Sequence, residues 1–422
     1  YDEGTVDLGW HFPAGLEGIA VPELYVSTAG NDSNSGTNVA TALRTITRAL
    51  SLAEVGTRIN IATGLYSVAA SEVFPLVVSK PGVHLKGADQ YKTIILASGN
   101  KKVMVVTNAS FVKIENLNIT GGYNPTANTG DPNGYAAGIS IFNVNEAWII
   151  SSIITNNLVQ GGWYTYNNGG GLYGINSSVY LTNCIVKNNR TRNTYWGAVG
   201  YGRGGGLYVA SGKWMIQKCV FADNTAYGQG YSQSGGGGMY LLGGPHELKN
   251  CLIVNNTATW TYGTPVGGGI WANGTVRLWN CTVVTNKGCD GLYREGGFVS
   301  ITNCIFWGNG DDIVNISSNV GYSCIEDGDF AGIKGNISTD PMFTDWTYCH
   351  LKSMAGCYTN GYFYGGSWTK AKVNSLLIDA GNPSDNAGQE PKQNGRHINM
   401  GAYGGTSVAS KTYCGGAIII LR

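Results

Sequence analysis

The strongest constraint in this sequence is a short motif that recurs five times. In each copy an Asn or Lys precedes a Cys, and an Asn follows that Cys five residues later. The positions are Cys184, Cys219, Cys251, Cys281 and Cys304, with Asn189, Asn224, Asn256, Asn286 and Asn309. A Gly followed by an apolar residue recurs in step with it, at Gly138, Gly171, Gly206, Gly238, Gly269 and Gly291. Two motifs that recur together predict one supersecondary unit stacked on itself.

The alternation within one repeat indicates β-strands. Val179 and Leu181 fall on one face of a strand, and after a bend Cys184 and Val186 fall on the inward face of the next strand. The equivalents of Val186 form an apolar column: Phe221, Ile253, Val283 and Phe306. Because one residue type recurs at one position of each coil, we expect an all-β parallel solenoid with strands about 4.8 Å apart.

Composition excludes several functional classes. Charged residues are 13% of the chain and the net charge is +1, so no basic stripe exists to bind nucleic acid. No apolar run approaches the ~20 residues of a membrane span. The chain begins with Tyr1 rather than Met, so we expect that a leader has been removed and that the protein is secreted or lies at the cell surface.

The chain is predicted to divide into four segments. Residues 1–24 are an extended N-terminal segment, 25–345 the solenoid, 346–410 its C-terminal end or cap, and 411–422 an apolar C-terminal strand. Within residues 41–55, Leu43, Ile46 and Leu50 recur with a helical period. A capping helix is therefore predicted over the open end of the first coil.

Insertions rich in aromatic residues follow the ladder Asn in successive coils. Because they leave each coil at the same place, we expect them to align as one ridge on one side. Its aromatic residues are Trp163, Tyr164, Tyr166, Tyr195, Trp196, Tyr201, Tyr227, Tyr231, Trp260 and Tyr262. Such side chains stack on sugar rings, bury themselves against a partner protein, or pack on one another as a small core. The sequence leaves these three interpretations open.

The Cys and Asn columns are interpreted as structural. Stacked Cys residues on neighbouring parallel strands lie too far apart for an unstrained disulfide and act as small apolar side chains. Stacked Asn amides satisfy the polar groups of a tight bend. We expect no chemistry from either column.

Candidates for catalysis or metal binding are few, and no catalytic residue or cofactor is predicted. Glu326, Asp327 and Asp329 form an acidic turn of the kind that binds Ca²⁺, although such turns are more often only solvated. We expect the charged residues elsewhere to be scattered, with no carboxylate beside them in the repeat: Arg203, Lys213, His246, Arg277 and Arg294. His246 is predicted to lie in a turn.

Both ends of the chain resemble a known superfamily. Tyr25-Val26-Ser27 and Gly64-Leu65-Tyr66 near the start, and residues 335–343, 375–381 and 399–405 near the end, resemble secreted bacterial right-handed parallel β-helix proteins of the pectin-lyase-like superfamily. The resemblance is to the branch with varied C-terminal anchoring domains, and it implies a right-handed β-helix. Because the superfamily includes lyases, glycosidases, adhesins and tailspikes, and no lyase signature maps here, the resemblance implies no catalytic residue.

The C-terminal apolar strand needs a partner. Ala417, Ile418, Ile419, Ile420 and Leu421 follow a Gly-Gly hinge, and a free strand of this kind aggregates unless it pairs. Strand donation from one copy to the next would build a filament. Cys349 and Cys357 are the simplest disulfide pair because they close a short loop, with Cys289, Cys324 and Cys414 as alternative partners.

The sequence therefore favours a structural or adhesive protein that assembles with copies of itself through its terminal segments. Two alternatives remain. One is a polysaccharide lyase or glycosidase that binds glycan along the aromatic ridge, and the other is a non-catalytic protein that binds extracellular polysaccharide.

Overall fold

The structure, a computed structural model, describes residues 21–125, 135–161, 166–193, 200–229, 234–261 and 263–413. In these residues nearly all strand pairs are parallel and join one coil to the next. The parallel β-helix expected from the repeats and from the resemblance is confirmed. A right-handed sense is the near-universal one for such parallel connections.

Each coil contributes a first, a second and a third strand, and the stacked strands form three faces. The first and second strands belong to one sheet of 17 strands. Face 1 consists of Leu76–Val78, Met104–Thr107, Ile139–Phe142, Leu172–Ile175, Leu207–Val209 and Asp311–Val314. Face 2 consists of Glu23–Val26, Arg58–Ile61, His84–Gly87, Ser110–Glu115, Asn145–Ile150, Ser177–Thr182, Gly212–Gln217 and Val320–Gly321. Three long strands run through both faces: Met239–Lys249, Ile270–Trp279 and Asp290–Thr302.

Face 3 is a separate sheet of ten strands. Its strands are Gly64–Ser67, Thr93–Leu96, Asn118–Thr120, Ile153–Thr155, Ile185–Lys187, Val220–Ala222, Leu252–Val254, Thr282–Val284, Ile305–Trp307 and Cys324–Ile325. A side sheet follows it, made of Tyr123–Asn124, Leu158–Gly161, Arg190–Asn193, Thr225–Gly228 and Thr257–Trp260. Tyr166–Asn168 pairs with Tyr201–Arg203, and Cys357–Thr359 forms an antiparallel hairpin with Ser367–Thr369.

The inward side chains form one continuous apolar core. Val179, Leu181, Cys184 and Val186 are each at most 1% exposed. Burial of this column on every coil supplies the main stabilising free energy, at about 25 cal/mol per Å² of apolar area. The core also contains the fully buried rings of Trp214, Phe221 and Phe306.

The bends on either side of face 3 explain the recurring Asn residues. The residue before each ladder Cys has a left-handed backbone, with φ of 54° at Asn183 and 53° at Asn250. The residue before each ladder Asn is left-handed as well, with φ of 55° at Asp223 and 52° at Asn255. Asn and Asp tolerate this conformation better than other non-glycine residues, which accounts for their frequency at the bends.

The ladder Asn side chains are buried and form a chain of hydrogen bonds along the helix. Asn189 Nδ2 donates to Asn224 Oδ1 at 3.1 Å, and the same bond recurs through Asn256, Asn286 and Asn309. The structure adds Asn157 as an earlier member, and Asn309 Nδ2 donates to Asp312 Oδ1 at 2.9 Å at the end. These bonds satisfy amides that would otherwise be unpaired in the core.

Residues 340–413 lie along the side of the helix, and we call them the strap. The sequence-based division placed residues 346–410 at the end of the helix instead. Their position follows from the outward residues of face 3, which are apolar and need cover: Ile153, Ile185, Val220, Leu252, Val284 and Ile305. These pack against Phe343, Leu351, Met400 and Tyr403 of the strap. The strap reaches back to an early coil, where Gln90 donates to Tyr364 at 3.0 Å.

Both ends of the helix bind loops of the same chain. At the N-terminal end Tyr25 N donates to Gly36 O, and Leu43 N donates to Tyr25 O. The predicted helix at 41–55 is observed as a 3₁₀ turn, Val39–Thr41, and an α-helix, Ile46–Leu52. A second 3₁₀ turn spans Val68–Ala70. At the C-terminal end Ile325 N donates to Ile337 O, and Tyr322 N donates to Lys334 O.

Candidate functional site

The outer side of face 1 is covered by aromatic residues and by the insertions. Tyr173, Tyr208, Tyr240 and Trp271 are 3–6% exposed and stack with centroid distances of 5.5, 5.1 and 3.9 Å. Each follows a residue of the Gly-apolar motif, so the sequence carried a signal for this column that its analysis missed. The column packs with Tyr135, Ala136 and Val266 as a second small core.

The predicted ridge continues this packing where the structure describes it. The rings of Tyr166 and Tyr201 stack at 4.8 Å, and the Arg203 guanidinium lies 3.8 Å from the Tyr201 centroid. Tyr227 Oη lies 3.4 Å from Thr261 Oγ1, and Trp260 is half-buried in the side sheet. The other predicted positions lie outside the described residues: Trp163, Tyr164, Tyr195, Trp196, Tyr231 and Tyr262.

Face 2 is the main face whose outward residues are not covered by any described segment. Three of the four close contacts between basic and acidic side chains that are found among the described residues lie at its N-terminal end. Arg58 Nη1 lies 3.1 Å from Glu23 Oε1, and Lys113 Nζ lies 2.9 Å from Glu115 Oε2. His84 Nε2 lies 2.9 Å from the same oxygen of Glu115. Because only 13% of the residues in the chain are charged, the clustering of these ionisable side chains in one place is notable.

The ionisation states of the network follow from its contacts. Hydrogen bonds from His84 and Lys113 lower the pKa of Glu115 to about 2, so its carboxylate is charged at neutral pH. Burial lowers the pKa of His84, which therefore donates to Glu115 as a neutral imidazole rather than forming a true ion pair. The hydrogen bond from Tyr25, at 2.6 Å, is the main cause of the lowered pKa of Glu23.

Aromatic residues continue the outward column of Lys113 on the next coils. The register aligns Lys113 with Trp148 and Trp148 with Tyr180. Trp148 stacks on Tyr180 at 5.6 Å with 12° between the ring planes, and Phe111 lies 6.3 Å from Trp148 at 21°. All three rings are half-buried, so one side of the stack remains accessible. We call Phe111, Trp148 and Tyr180 the aromatic platform.

Two predictions about isolated charged residues are wrong. Arg277 does have a carboxylate beside it, because Glu247 is its register partner and their side chains approach to 4.0 Å. His246 lies inside the strand Met239–Lys249 rather than in a turn. Its ring is buried in the core, its Nε2 is 2.9 Å from Leu242 O, and burial lowers its pKa, so it is a neutral structural histidine.

The acidic turn has a different membership from the one expected. Carboxylate oxygens of Asp311, Asp327 and Asp329 lie within 4.8 Å of one another on the surface. Glu326 is instead held by Gly308 N, which donates to its Oε2 at 2.5 Å. Burial and mutual repulsion raise the pKa of Asp311, and burial together with the Asp327 charge raises that of Asp329. Asp311 joins the group because its strand lies beside the turn: Asp312 N donates to Asp327 Oδ2, and Glu326 N donates to Asp312 Oδ2.

All cysteines within the described residues are free. The five ladder thiols are buried, and several donate to backbone carbonyls of the preceding coil, as Cys219 does to Leu181 O at 3.3 Å. Cys349 and Cys357 do not form the expected disulfide. Both are buried separately in the strap, and Cys349 Sγ donates to Trp346 O at 3.5 Å. Among the described residues no helix has the length and apolar content of a membrane span.

Comparisons with known proteins give one family model and several solved structures to which this chain is similar. Residues 28–200 match the model of a family described as "Protein of unknown function (DUF1565)". No curated protein matches the chain. Similar solved structures include the pectate lyase Pel9A, at 14% identity and a TM-score of 0.49, over 91% of this chain and 97% of its own. A rhamnogalacturonan lyase has 13% identity and a TM-score of 0.37, over 76% and 90%. Pectin methylesterase PemA from Erwinia chrysanthemi has 11% identity and a TM-score of 0.36, over 70% and 91%.

Proposed function

We propose that this protein binds an extended polysaccharide along face 2 and acts as an adhesive or structural protein outside the cell. The observation that carries the proposal is which of the three faces have their outer side covered by other parts of the chain. The described residues cover the outer sides of face 1 and face 3 and leave face 2 open, and the aromatic platform lies on it.

The platform suits the chemistry of a sugar chain. A pyranose ring has a face of C–H bonds that packs on an aromatic ring, and its hydroxyls bind polar groups at the edge of the contact. Trp148 and Tyr180 offer such rings on neighbouring coils, and Lys113 and Glu115 lie on the preceding coil. Because the outward residues repeat with the coils, an extended ligand can contact several of them in succession.

The charged groups beside the platform favour binding over cleavage. A general base works best when its pKa lies near the working pH, and the pKa of Glu115 is about 2. Lys113 and His84 both contact Glu115, and Arg58 contacts Glu23, so these groups are engaged with one another. We therefore rank the lyase or glycosidase alternative second.

The test is affinity electrophoresis of the full chain in gels that contain soluble neutral or acidic polysaccharides. We expect Trp148→Ala to weaken the retarding interaction about tenfold or more, because truncation of a central aromatic anchor commonly has this effect. Trp368→Ala removes a 43% exposed Trp of the strap and serves as the matched control. Equal retardation of the two variants would contradict the proposal, and release of unsaturated or reducing-end products would replace it with the enzyme.

Self-assembly through the terminal segments stays a separate prediction. Ala417, Ile418, Ile419, Ile420 and Leu421 lie outside the described residues, as do residues 1–20. Residues 36–43 and 334–337 already occupy strand edges at the two ends of the helix. A filament would therefore use other edges or surfaces. Negative-stain imaging of the full chain beside a deletion of residues 412–422 tests it, and a monomer in both samples at high concentration would exclude it.

A further inference from the structure

A cleft of about 420 Å³ lies between the strap and the helix, away from face 2. On the helix side it is lined by the bends that follow face 3 on three successive coils, and on the other side by Trp346, Thr347 and Tyr362 of the strap. The described residues leave this volume empty. The polar side chains that line the cleft belong neither to the outward column of face 2 nor to the apolar core.

The strap presents Trp346 on a fixed turn. Asp345 Oδ1 accepts hydrogen bonds from Thr347 N at 2.9 Å and Tyr348 N at 2.7 Å. Phe343 is buried and contacts the Trp346 ring edge-on, with a centroid distance of 5.4 Å. Even so, Trp346 is 52% exposed. The ring is thus held in place without being buried, which leaves one aromatic face available at the cleft.

The helix side of the cleft presents polar groups in register. Ala222, Val254 and Val284 are register partners, so Asp223, Asn255 and Thr285 occupy equivalent bends of successive coils. Asn255 Nδ2 donates to Asp223 Oδ1 at 2.5 Å, which orients the amide, and Asp223 as a whole is exposed.

Lys287 adds a cation to the same side of the cleft. Its side chain forms none of the ion pairs found among the described residues. The cleft therefore holds one carboxylate and one ammonium that are not paired with each other, together with an amide and hydroxyls. Such a set offers both donors and acceptors and has no excess of either charge.

We infer that this cleft is a second binding site, for a sugar residue of a neutral oligosaccharide. An exposed aromatic ring opposite a row of polar groups matches the two sides of a pyranose, whose C–H face is apolar and whose hydroxyls both donate and accept. A uronate would place its carboxylate beside Asp223, whose repulsion offsets the attraction of Lys287, so the anionic group loses hydration without a net electrostatic gain and binds more weakly. The site is independent of face 2 and of the function proposed for it.

The experiment uses the full chain with ¹⁵N-labelled tryptophan and follows the indole N–H signals by NMR. The probes are cellohexaose, mannohexaose and hexagalacturonate. The Trp346 signal is identified by its loss in Trp346→Ala. We expect a neutral hexasaccharide to shift this signal and hexagalacturonate to leave it unchanged. A Trp346 signal that no neutral probe moves, or that only hexagalacturonate moves, would overturn the inference.

Variants then locate the contact. Trp346→Ala is expected to weaken binding of the neutral probe about tenfold, measured by calorimetry, because an aromatic anchor is removed. Lys287→Ala is expected to weaken it several-fold, and Trp368→Ala and Lys370→Ala are the matched controls on exposed strap residues. Unchanged affinity in Trp346→Ala would assign the binding elsewhere. Since Trp148→Ala leaves this cleft intact, failure of the face 2 proposal and failure of this one are distinguishable.

Discussion

Faces 2 and 3 belong to the same coils and share one core, yet their outward residues differ in kind. On face 3 the outward positions hold Ile153, Ile185, Val220 and Leu252, all at most 8% exposed under the strap. On face 2 the equivalent outward positions hold charged residues and half-buried rings, and no described segment covers them. The comparison teaches that the inward residues build the coil, while the outward residues decide whether a face is covered or left for a ligand.

The largest expected effect comes from placing a charge on the covered face. Leu252→Asp is expected to lower the free energy of unfolding by roughly 3 kcal/mol or more, because it buries an unpaired carboxylate under the strap. Met215→Asp, on the outward column of face 2, is expected to change it by less than about 1 kcal/mol. Urea denaturation followed by circular dichroism measures both. If the two variants lose the same stability, the distinction between covered and open faces fails.

A smaller effect on stability distinguishes bends of face 3 that bind the strap from bends that do not. Asn280 Nδ2 donates to Asn399 O of the strap at 3.0 Å, whereas no such bond to a described strap residue is found for Asn183, which precedes Cys184 at the equivalent bend. Asn280→Gly and Asn183→Gly both keep the left-handed backbone that the bend requires. We expect Asn280→Gly to lose about 1–2 kcal/mol more than Asn183→Gly, since only it removes a buried hydrogen bond to the strap.

Denaturation curves of these two glycine variants give the difference directly, and limited proteolysis shows where it acts. Strap cleavage should become faster in Asn280→Gly than in Asn183→Gly. Equal cleavage rates would mean that the strap does not depend on the amides at the bends.

The last pair of effects concerns pH dependence, and the two effects have opposite signs on the two sides of the molecule. The pKa of Glu115 on face 2 is lowered from 4.5 to about 2, so its contribution to stability is present above pH 4.5 and is lost as the pH falls toward 2. Burial raises the pKa of Glu390 in the strap from 4.5 to about 7, so its contribution is present below pH 4.5 and is lost as the pH rises through 7.

Unfolding free energies measured between pH 2 and pH 8 separate these two groups. Glu115→Gln is expected to flatten the curve in acid, and Glu390→Gln is expected to flatten it near neutral pH. A Glu390→Gln curve with the wild-type slope between pH 5 and pH 8 would contradict the assignment of Glu390 as a buried, proton-binding group.

Much of the fold was predictable because the repeats are local signals. The Cys and Asn columns and the alternation around Val179 and Leu181 are visible within one coil, and the structure buries them as that pattern requires. Four of the five ladder Cys residues are followed by an apolar outward residue, Ile185, Val220, Leu252 or Ile305, and this signal that face 3 needs cover was not used in the sequence analysis. The identity of the cover was not predictable, because the strap meets Asn250 through carbonyls more than 150 residues away, at Ala402 and Gly404.

The open face was harder to predict for a different reason. The Cys motif begins at Asn183-Cys184, and in the preceding coil Ser152 occupies the equivalent of Cys184. Because these early coils lack the motif, the sequence does not show that Lys113 and Trp148 are register partners. The cleft at Trp346 also depends on how the strap folds back, which no repeat encodes.

The ladder of Asn side chains has one further consequence. Each Nδ2 donates one hydrogen bond to the Oδ1 of the next ladder Asn and another to a backbone carbonyl of the preceding coil, whereas each Oδ1 accepts from the preceding coil, so the C=O ends all point toward the N-terminal end of the solenoid. The amide dipoles therefore add, and their positive end lies at Asn309, where the Asp312 carboxylate accepts the last hydrogen bond. In its side chains this β-helix reproduces what an α-helix has in its backbone: a macrodipole with an acidic residue at its positive pole.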